Sequence, residues 1–183
     1  MKKVFVGLAV LSTTALLSFI PRTKQAEVYN VSTGTSKVDW VGSKKNGYHP
    51  GYFNLKSGVV NVENGKITGG NFVIDIANVK VTDGAGAKLE GHLKSADFFD
   101  VAKYPEATFT ITNVSYSSES TIEIAGNLLV KGVNVPVKFP GRVRSLGDGK
   151  LFAQAFFTLD ATPFITYGVE KDVPVMIHLY AAK

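Results

Sequence analysis

This chain of 183 residues contains no cysteine. That excludes disulfide staples, a thiol nucleophile, thiolate metal sites and a lipidated cysteine behind the leader. Histidine is scarce. His49, His92 and His178 are dispersed, with no HxH or HxxxH spacing. A zinc site needs three or four converging ligands, so the sequence predicts no metal centre, and no cofactor is predicted either. His49, in Tyr48-His49-Pro50-Gly51, is expected to shape a turn, and His92 to sit on a helix at a rim. A GxSxG run is also missing, which removes the nucleophile elbow.

Excess charge of one sign disappears once the leader is set aside. Met1-Lys2-Lys3 is followed by the uncharged, apolar or small run Val4–Ile20 and then Pro21. That is the layout of a secretory signal peptide. At 17 residues the run is short for a membrane-spanning helix, and it carries Ser12, Thr13, Thr14 and Ser18. Residues 1–26 hold Lys2, Lys3, Arg22 and Lys24 and no acid. Of 20 basic and 15 acidic side chains, the remainder therefore keeps 16 and 15, a net +1. Nothing in that balance marks a nucleic-acid binder. A periplasmic or secreted domain is expected, choosing partners by apolar contact. About 157 residues, from 27 to 183, suit one domain with a core of its own. The predicted organisation is a leader over 1–26, a flexible tether over 27–35 and one domain over 36–183.

What the sequence does have is alternation. Val38 and Trp40 oppose Lys37 and Asp39. Phe53 and Leu55 open a strand whose apolar phase slips near Ser57-Gly58 to Val60 and Val62, as a β-bulge would make it. Asn64-Gly65 is a strong hairpin signal, because a type I′ turn needs positive φ at both central residues. Phe72, Ile74 and Ile76 share one face of the next strand. Ala107, Phe109 and Ile111 alternate with Thr108, Thr110 and Thr112. Ile122, Ile124, Leu128 and Val130 form a further face, and so do Val133, Val135, Val137 and Phe139. Pro136 and Pro140 cannot donate ladder bonds, so their strand should have an edge or bulged region. Leu151–Asp160 is apolar on both faces and gives no phase. Val175, Ile177 and Leu179 finish the chain.

These signals predict about eight strands with short links, one wet face each, hence antiparallel pairing in a closed barrel or a sandwich. Closure removes sticky edges and leaves room for side chains or one slender ligand. One segment breaks the pattern. In Leu89–Phe109, Leu89, Leu93 and Ala96 fall at helical spacing, Phe98-Phe99 follows, and Tyr104-Pro105 turns into a strand. A lone short amphipathic helix in an all-β chain braces or plugs something.

The ordered segments resemble the YceI-like family of bacterial envelope proteins that bind lipids or polyisoprenoids. Val38-Asp39-Trp40 precedes His49-Pro50-Gly51, and Phe53–Gly58 precedes Asn64-Gly65-Lys66. Gly69–Asp75, Gly91–Ser95, Asp97–Asp100 and Tyr104-Pro105 with Ala107-Thr108-Phe109 follow, then Gly126-Asn127-Leu128 and Lys131-Gly132-Val133. The likeness covers about residues 36–145. It implies an all-β, lipocalin-like antiparallel barrel with a helix beside its mouth and an elongated apolar pore holding an isoprenoid, a quinone-like chain or another long amphiphile. The C-terminal part departs from the pattern. The family has a longer basic and aromatic loop before the last strand, whereas Thr166-Tyr167-Gly168 runs through Val169–Asp172 into Val173, implying a short rim.

The expected ligand-lining residues are Trp40, Phe53, Phe72, Ile74, Phe99, Phe109, Ile111, Ile124, Val137 and Phe139. Val38, Leu55, Ile122, Val135, Val175 and Ile177 complete the inward set. An ordinary filled core would use the same faces. An isoprene unit has five carbons, so burying one is worth roughly 3–4 kcal/mol. Association costs about 4–15 kcal/mol, so several buried units suffice without a salt bridge. Three functions stay open: a lipid carrier, an enzyme on such a lipid using Asp97, His92 or Tyr104, and a structural surface domain. Asp97 and Asp100 are expected to cap turns. Homodimerisation and transient membrane contact for loading are also left open.

Overall fold

The computed structural model describes residues 26–165, 168 and 170–183. Residues 1–25 of the expected leader, and Thr166, Tyr167 and Val169 of the expected short rim, lie outside them. The elements are β1 (Glu27–Val31), β2 (Lys37–Lys44), β3 (Gly47–Glu63), β4 (Lys66–Val81), α1 (Gly86–Lys94), β5 (Glu106–Tyr116), β6 (Thr121–Val130), β7 (Val133–Gly147), β8 (Lys150–Asp160) and β9 (Asp172–Ala182). Every strand pairing is antiparallel. The ring β2 to β9 closes through the β2–β9 contact. The described residues form a closed, eight-position antiparallel barrel with one short helix.

Local chemistry sets the turns and the curvature. Asn64-Gly65, Lys131-Gly132 and Asp148-Gly149 all take positive φ (51° and 73°, 50° and 75°, 50° and 70°), the type I′ signature. The phase slip in β3 falls between Leu55 and Ser57. One strand there carries an extra residue, and the wall bends.

The tether expected over 27–35 is instead structural. β1 pairs with β3 at Glu27↔Val62 to Asn30↔Val59 and touches β9 at Val31↔Ala181. β2 pairs with the earlier half of β3 and with β9 from Lys37↔His178. β1 and β2 thus lie end to end in one barrel position. The splice needs a polar patch, because Tyr180 loses its ladder partner there. Ser36, 0 % exposed, supplies it: its hydroxyl donates to the Tyr180 carbonyl (3.1 Å) and accepts from the Tyr180 N–H (3.0 Å). Ser32 N–H donates to the same carbonyl at 2.8 Å. The polar run Ser32–Ser36 reads as a linker only because this partner is 144 residues away.

Two further expectations are corrected. His49-Pro50 is no turn. Both lie inside β3 opposite Gly42 and Val41, and the chain reverses between Lys44 and Gly47. The helix stops at Lys94 and excludes Ala96, because Ser95 turns extended (ψ 168°) and donates from its hydroxyl to the His92 carbonyl at 2.7 Å. The proline strand behaves as expected of an edge. β7 pairs with β6 from Val133 onward but with β8 only from Gly141, so Pro136 and Pro140 fall outside the second ladder.

α1 caps the barrel end where β4 leaves and β5 enters, called here the mouth. Glu90 Oε1 accepts the Val81 N–H at 3.1 Å, and Leu93 packs inward. One apolar cluster gathers at the mouth around Ile76, Leu93, Phe98, Phe99, Phe164 and Ile165. A second fills the far end around Tyr29, Val60, Val62, Ile67, Ile122 and Leu151. There Tyr116 Oη accepts the Ile67 N–H at 2.6 Å, joining β4 and β5 where their ladder has ended. Burial pushes the Tyr116 phenol up, partly offset by that bond.

Candidate functional site

Between the two clusters lies an open lumen of about 220 Å³. One water needs roughly 10–15 Å³ of such space, so the centre of the barrel is not plugged by its own side chains. Among the described residues, none that lines it is ionisable. A space with so few polar partners holds water poorly and suits hydrocarbon. On β4 the lining runs from Ile67 to Ile76, roughly 30 Å of strand, so the space is elongated.

The structure brings together all ten expected residues. Trp40, Phe53, Phe72, Ile74, Phe99, Phe109, Ile111, Ile124, Val137 and Phe139 line the lumen. Of the wider inward set Val38, Leu55, Ile122, Val175 and Ile177 join them, whereas Val135 packs into the mouth cluster. Sequence reasoning missed the β8 contribution of Ala153, Ala155, Phe157 and Leu159. Its signal was masked because Phe152 and Phe156 on the outer face are just as apolar. Phe164 and Ile165 were missed as well, since they belong to a connection with no periodicity.

The aromatics form two bands. Near the mouth Trp40 meets Phe53 (6.0 Å), Phe53 meets Phe99 edge-on (5.6 Å) and Phe99 stacks on Phe164 (6.5 Å). At the waist Phe72, Phe109, Phe139 and Phe157 follow one another at 6.2, 5.7 and 4.3 Å. Such contacts add about 0.5–1.5 kcal/mol each beyond area burial, so these rings resist displacement into the lumen. Glycine makes room for two of them. A Cβ on Gly51 would sit 2.2 Å from the Trp40 ring, and one on Gly126 would sit 2.5 Å from Phe109. The Trp40 indole N–H is buried without an acceptor, a cost of about 1–3 kcal/mol.

Phe99 N–H donates to the Leu93 carbonyl at 3.0 Å, so the turn after α1 holds Phe98 and Phe99 under the helix. Lys131 reaches across to the Ala96 carbonyl (3.2 Å). The β4–α1 loop is fixed by Asp83, which accepts from the Ala85 N–H (3.0 Å) and from His49 Nδ1 (2.8 Å). The His49 bond, then the Ala85 bond, holds the Asp83 carboxyl below its ordinary value.

The acid–base candidates do not meet. His92 stands edge-on to Phe98 (4.8 Å) outside the lumen, Asp97 is exposed, and Tyr104 covers Gly132 on the surface. None lines the cavity. Asp97 and Asp100 form no capping hydrogen bond among the described residues. Asp100 takes φ 48° and pairs with Lys103 at 3.3 Å. The same residues contain no group of three or more potential metal ligands.

The fold is shared with solved structures. Burkholderia cenocepacia BcnA superposes with a TM-score of 0.73 at 23% identity, covering 83% of this chain and 99% of that one. A Campylobacter jejuni YceI protein gives 0.65 at 20% identity over 72% and 84%. A polyisoprenoid binding domain from Saccharophagus degradans gives 0.64 at 15% identity over 84% and 97%. In sequence, a UPF0312 protein of Azotobacter vinelandii is 43% identical over 68 residues, 37% of this chain and 34% of that protein. Protein YceI of Salmonella arizonae is 39% identical over 71 residues, 39% and 37% of the two. Each match thus spans about a third of those relatives. The YceI-like domain pattern, by contrast, matches residues 29–181, so the chain belongs to the YceI-like family.

Proposed function

We propose that this protein binds and carries a long apolar lipid, an isoprenoid or quinone-like chain or a similar amphiphile, with its tail in the lumen. The observation that carries the reading is an elongated cavity of about 220 Å³ whose lining, among the described residues, has no ionisable group. Apolar area is the one resource such a wall offers, so affinity grows with the length of tail buried and depends weakly on the head group. Trp40, Phe53 and Phe99 receive the tail near the mouth, and Phe72, Phe109, Ile111, Ile124 and Phe139 hold it at the waist. The polyisoprenoid binding domain of Saccharophagus degradans, which shares the barrel, fits this reading. So does the placement of His92, Asp97 and Tyr104 outside the cavity, which favours a carrier over an enzyme. The leader-like run Val4–Ile20 points to a periplasmic or secreted workplace.

The test is extraction of the purified protein and mass spectrometry of what is released, with uptake of a fluorescent polyprenyl compound beside it. A co-purified long-chain lipid, or saturable uptake that tightens with chain length, is the expected result. Protein that releases no lipid and takes up no polyprenyl compound defeats the reading.

A further inference from the structure

Buried side chains crowd the mouth. Leu93, Phe98 and Phe99 press in from the helix side, and Phe164 and Ile165 from the β8–β9 side, all 5–9 % exposed. The wall has a weaker place. The β7–β8 ladder ends at Gly141↔Ala155, yet β7 extends back to Val133 and β8 on to Asp160. Pro136 and Pro140 leave one lip of this seam short of N–H donors, so strand pairing cannot readily close it. Phe139 and Phe157 stack there instead, at 4.3 Å and 10°, and both line the lumen. Two stacked rings, rather than a hydrogen-bonded ladder, join the strands there.

The outer wall beside the seam carries exposed apolar side chains. Phe156 is 65 % exposed, and its cross-strand partner Met176 is 41 % exposed. The same row continues through Asp39 and Tyr52 to Lys80. One row nearer the mouth, Val41 pairs with Pro50 on the same face, and Pro174 pairs with Thr158. One row the other way, roughly 7 Å along the strands, the side chains are polar or basic: Asn54, Lys37, His178, Gln154 and Arg142, neighbours in register. An apolar band with a polar row carrying Lys37 and Arg142 one step away matches a lipid interface, with acyl boundary and phosphate level at those two depths. Asp39 within the band, and Asp160 and Asp172 toward the rim, oppose anionic attraction, so apolar contact dominates.

Resting on the carrier reading for its purpose, we infer that the outer wall around Phe156 and Met176 is the face this protein lays on a lipid surface, and that the tail passes through the adjoining β7–β8 seam. The partner is a bilayer rather than another protein. It supplies the cargo that the lumen fits, and the exposed band leads to the seam into that lumen.

The experiment compares wild-type protein with the double variant Phe156→Glu/Met176→Glu and the control Leu129→Glu, which puts the same charge on the exposed Leu129 of β6 (46 % exposed). Flotation with phosphatidylcholine vesicles, with and without phosphatidylglycerol, reads docking without reference to cargo. Stopped-flow transfer of a fluorescent polyprenyl compound from those vesicles reads loading, and equilibrium uptake of the same compound from dispersion reads the lumen. The double variant should float and load about tenfold less, keep its dispersed uptake within about twofold, and respond only slightly to phosphatidylglycerol. Leu129→Glu should change none of these. Equal flotation and transfer for wild type and double variant, or equal damage from Leu129→Glu, overturns the proposal. A wild-type dimer that the double variant converts to monomer assigns the face to a second copy instead. Wild-type protein that takes up nothing from dispersion defeats the carrier reading, while flotation still decides the docking face.

Discussion

Ala153→Phe separates an open lumen from a filled core. Ala153 lines the cavity from β8, between Val143 of β7 and Leu179 of β9. The substitution sends a phenyl ring, about six carbons, into the space, which is about one isoprene unit. The guest then loses roughly 3–4 kcal/mol at about 0.8 kcal/mol per carbon. Polyprenyl affinity should therefore fall about 100- to 1,000-fold. Stability supplies the second reading. A ring forced into a packed core costs typically 1–3 kcal/mol, whereas a ring entering empty space costs little and buries apolar area. The assays are urea unfolding without ligand and fluorescence titration with the polyprenyl compound. The expected pair is unchanged or raised stability with lost uptake. Stability lowered by 1 kcal/mol or more, with uptake unaltered, would show the space to be ordinary core and refute the reasoning.

Other perturbations test the scaffold. Ser36→Ala strips the Tyr180 N–H of its acceptor in a fully buried position. It should cost about 1–3 kcal/mol by chemical denaturation, and a change within about 0.5 kcal/mol would disprove the splice. Gly126→Ala places a Cβ 2.5 Å from both Phe109 and the Thr110 carbonyl, so it should cost about 1–3 kcal/mol in the same assay. A neutral result would mean that the ring does not rest on that glycine. The Asp83 carboxyl is held below its ordinary 3.8, first by His49, so its contribution to stability is present above that value and lost as pH falls through the lower folded one. Carboxyl NMR titration should place Asp83 below 3.8 in the wild type and nearer it in His49→Ala. The same midpoint in both proteins would remove His49 as the cause.

Where one face of a strand meets water, the sequence states the structure plainly. Ala107–Thr112 alternates and folds as read, and Asn64-Gly65 turns with the φ values its chemistry favours. The ten expected lumen residues converge for the same reason, since period-2 alternation fixes which side of a wall a residue occupies. The reading fails where the local text is two-sided or the partner is remote. β8 carries Phe152 and Phe156 outside against Ala153, Ala155 and Phe157 inside, so hydrophobicity alone could not phase it. β1 is short, and its splice depends on Tyr180 at the other end of the sequence. No local pattern distinguishes a filled barrel from a hollow one, because the difference lies in how rings on facing strands lean.

The glycine seats under Trp40 and Phe109 bear on how the bore of such a barrel can change. Where an indole or a phenyl reclines on bare main chain, the calibre of the tube is set by the backbone itself and cannot be trimmed by ordinary side-chain exchange. The alanines of β8 carry no such constraint. A lineage needing a wider, narrower or shorter bore has its freest dial along that strand, beside the ring-closed seam.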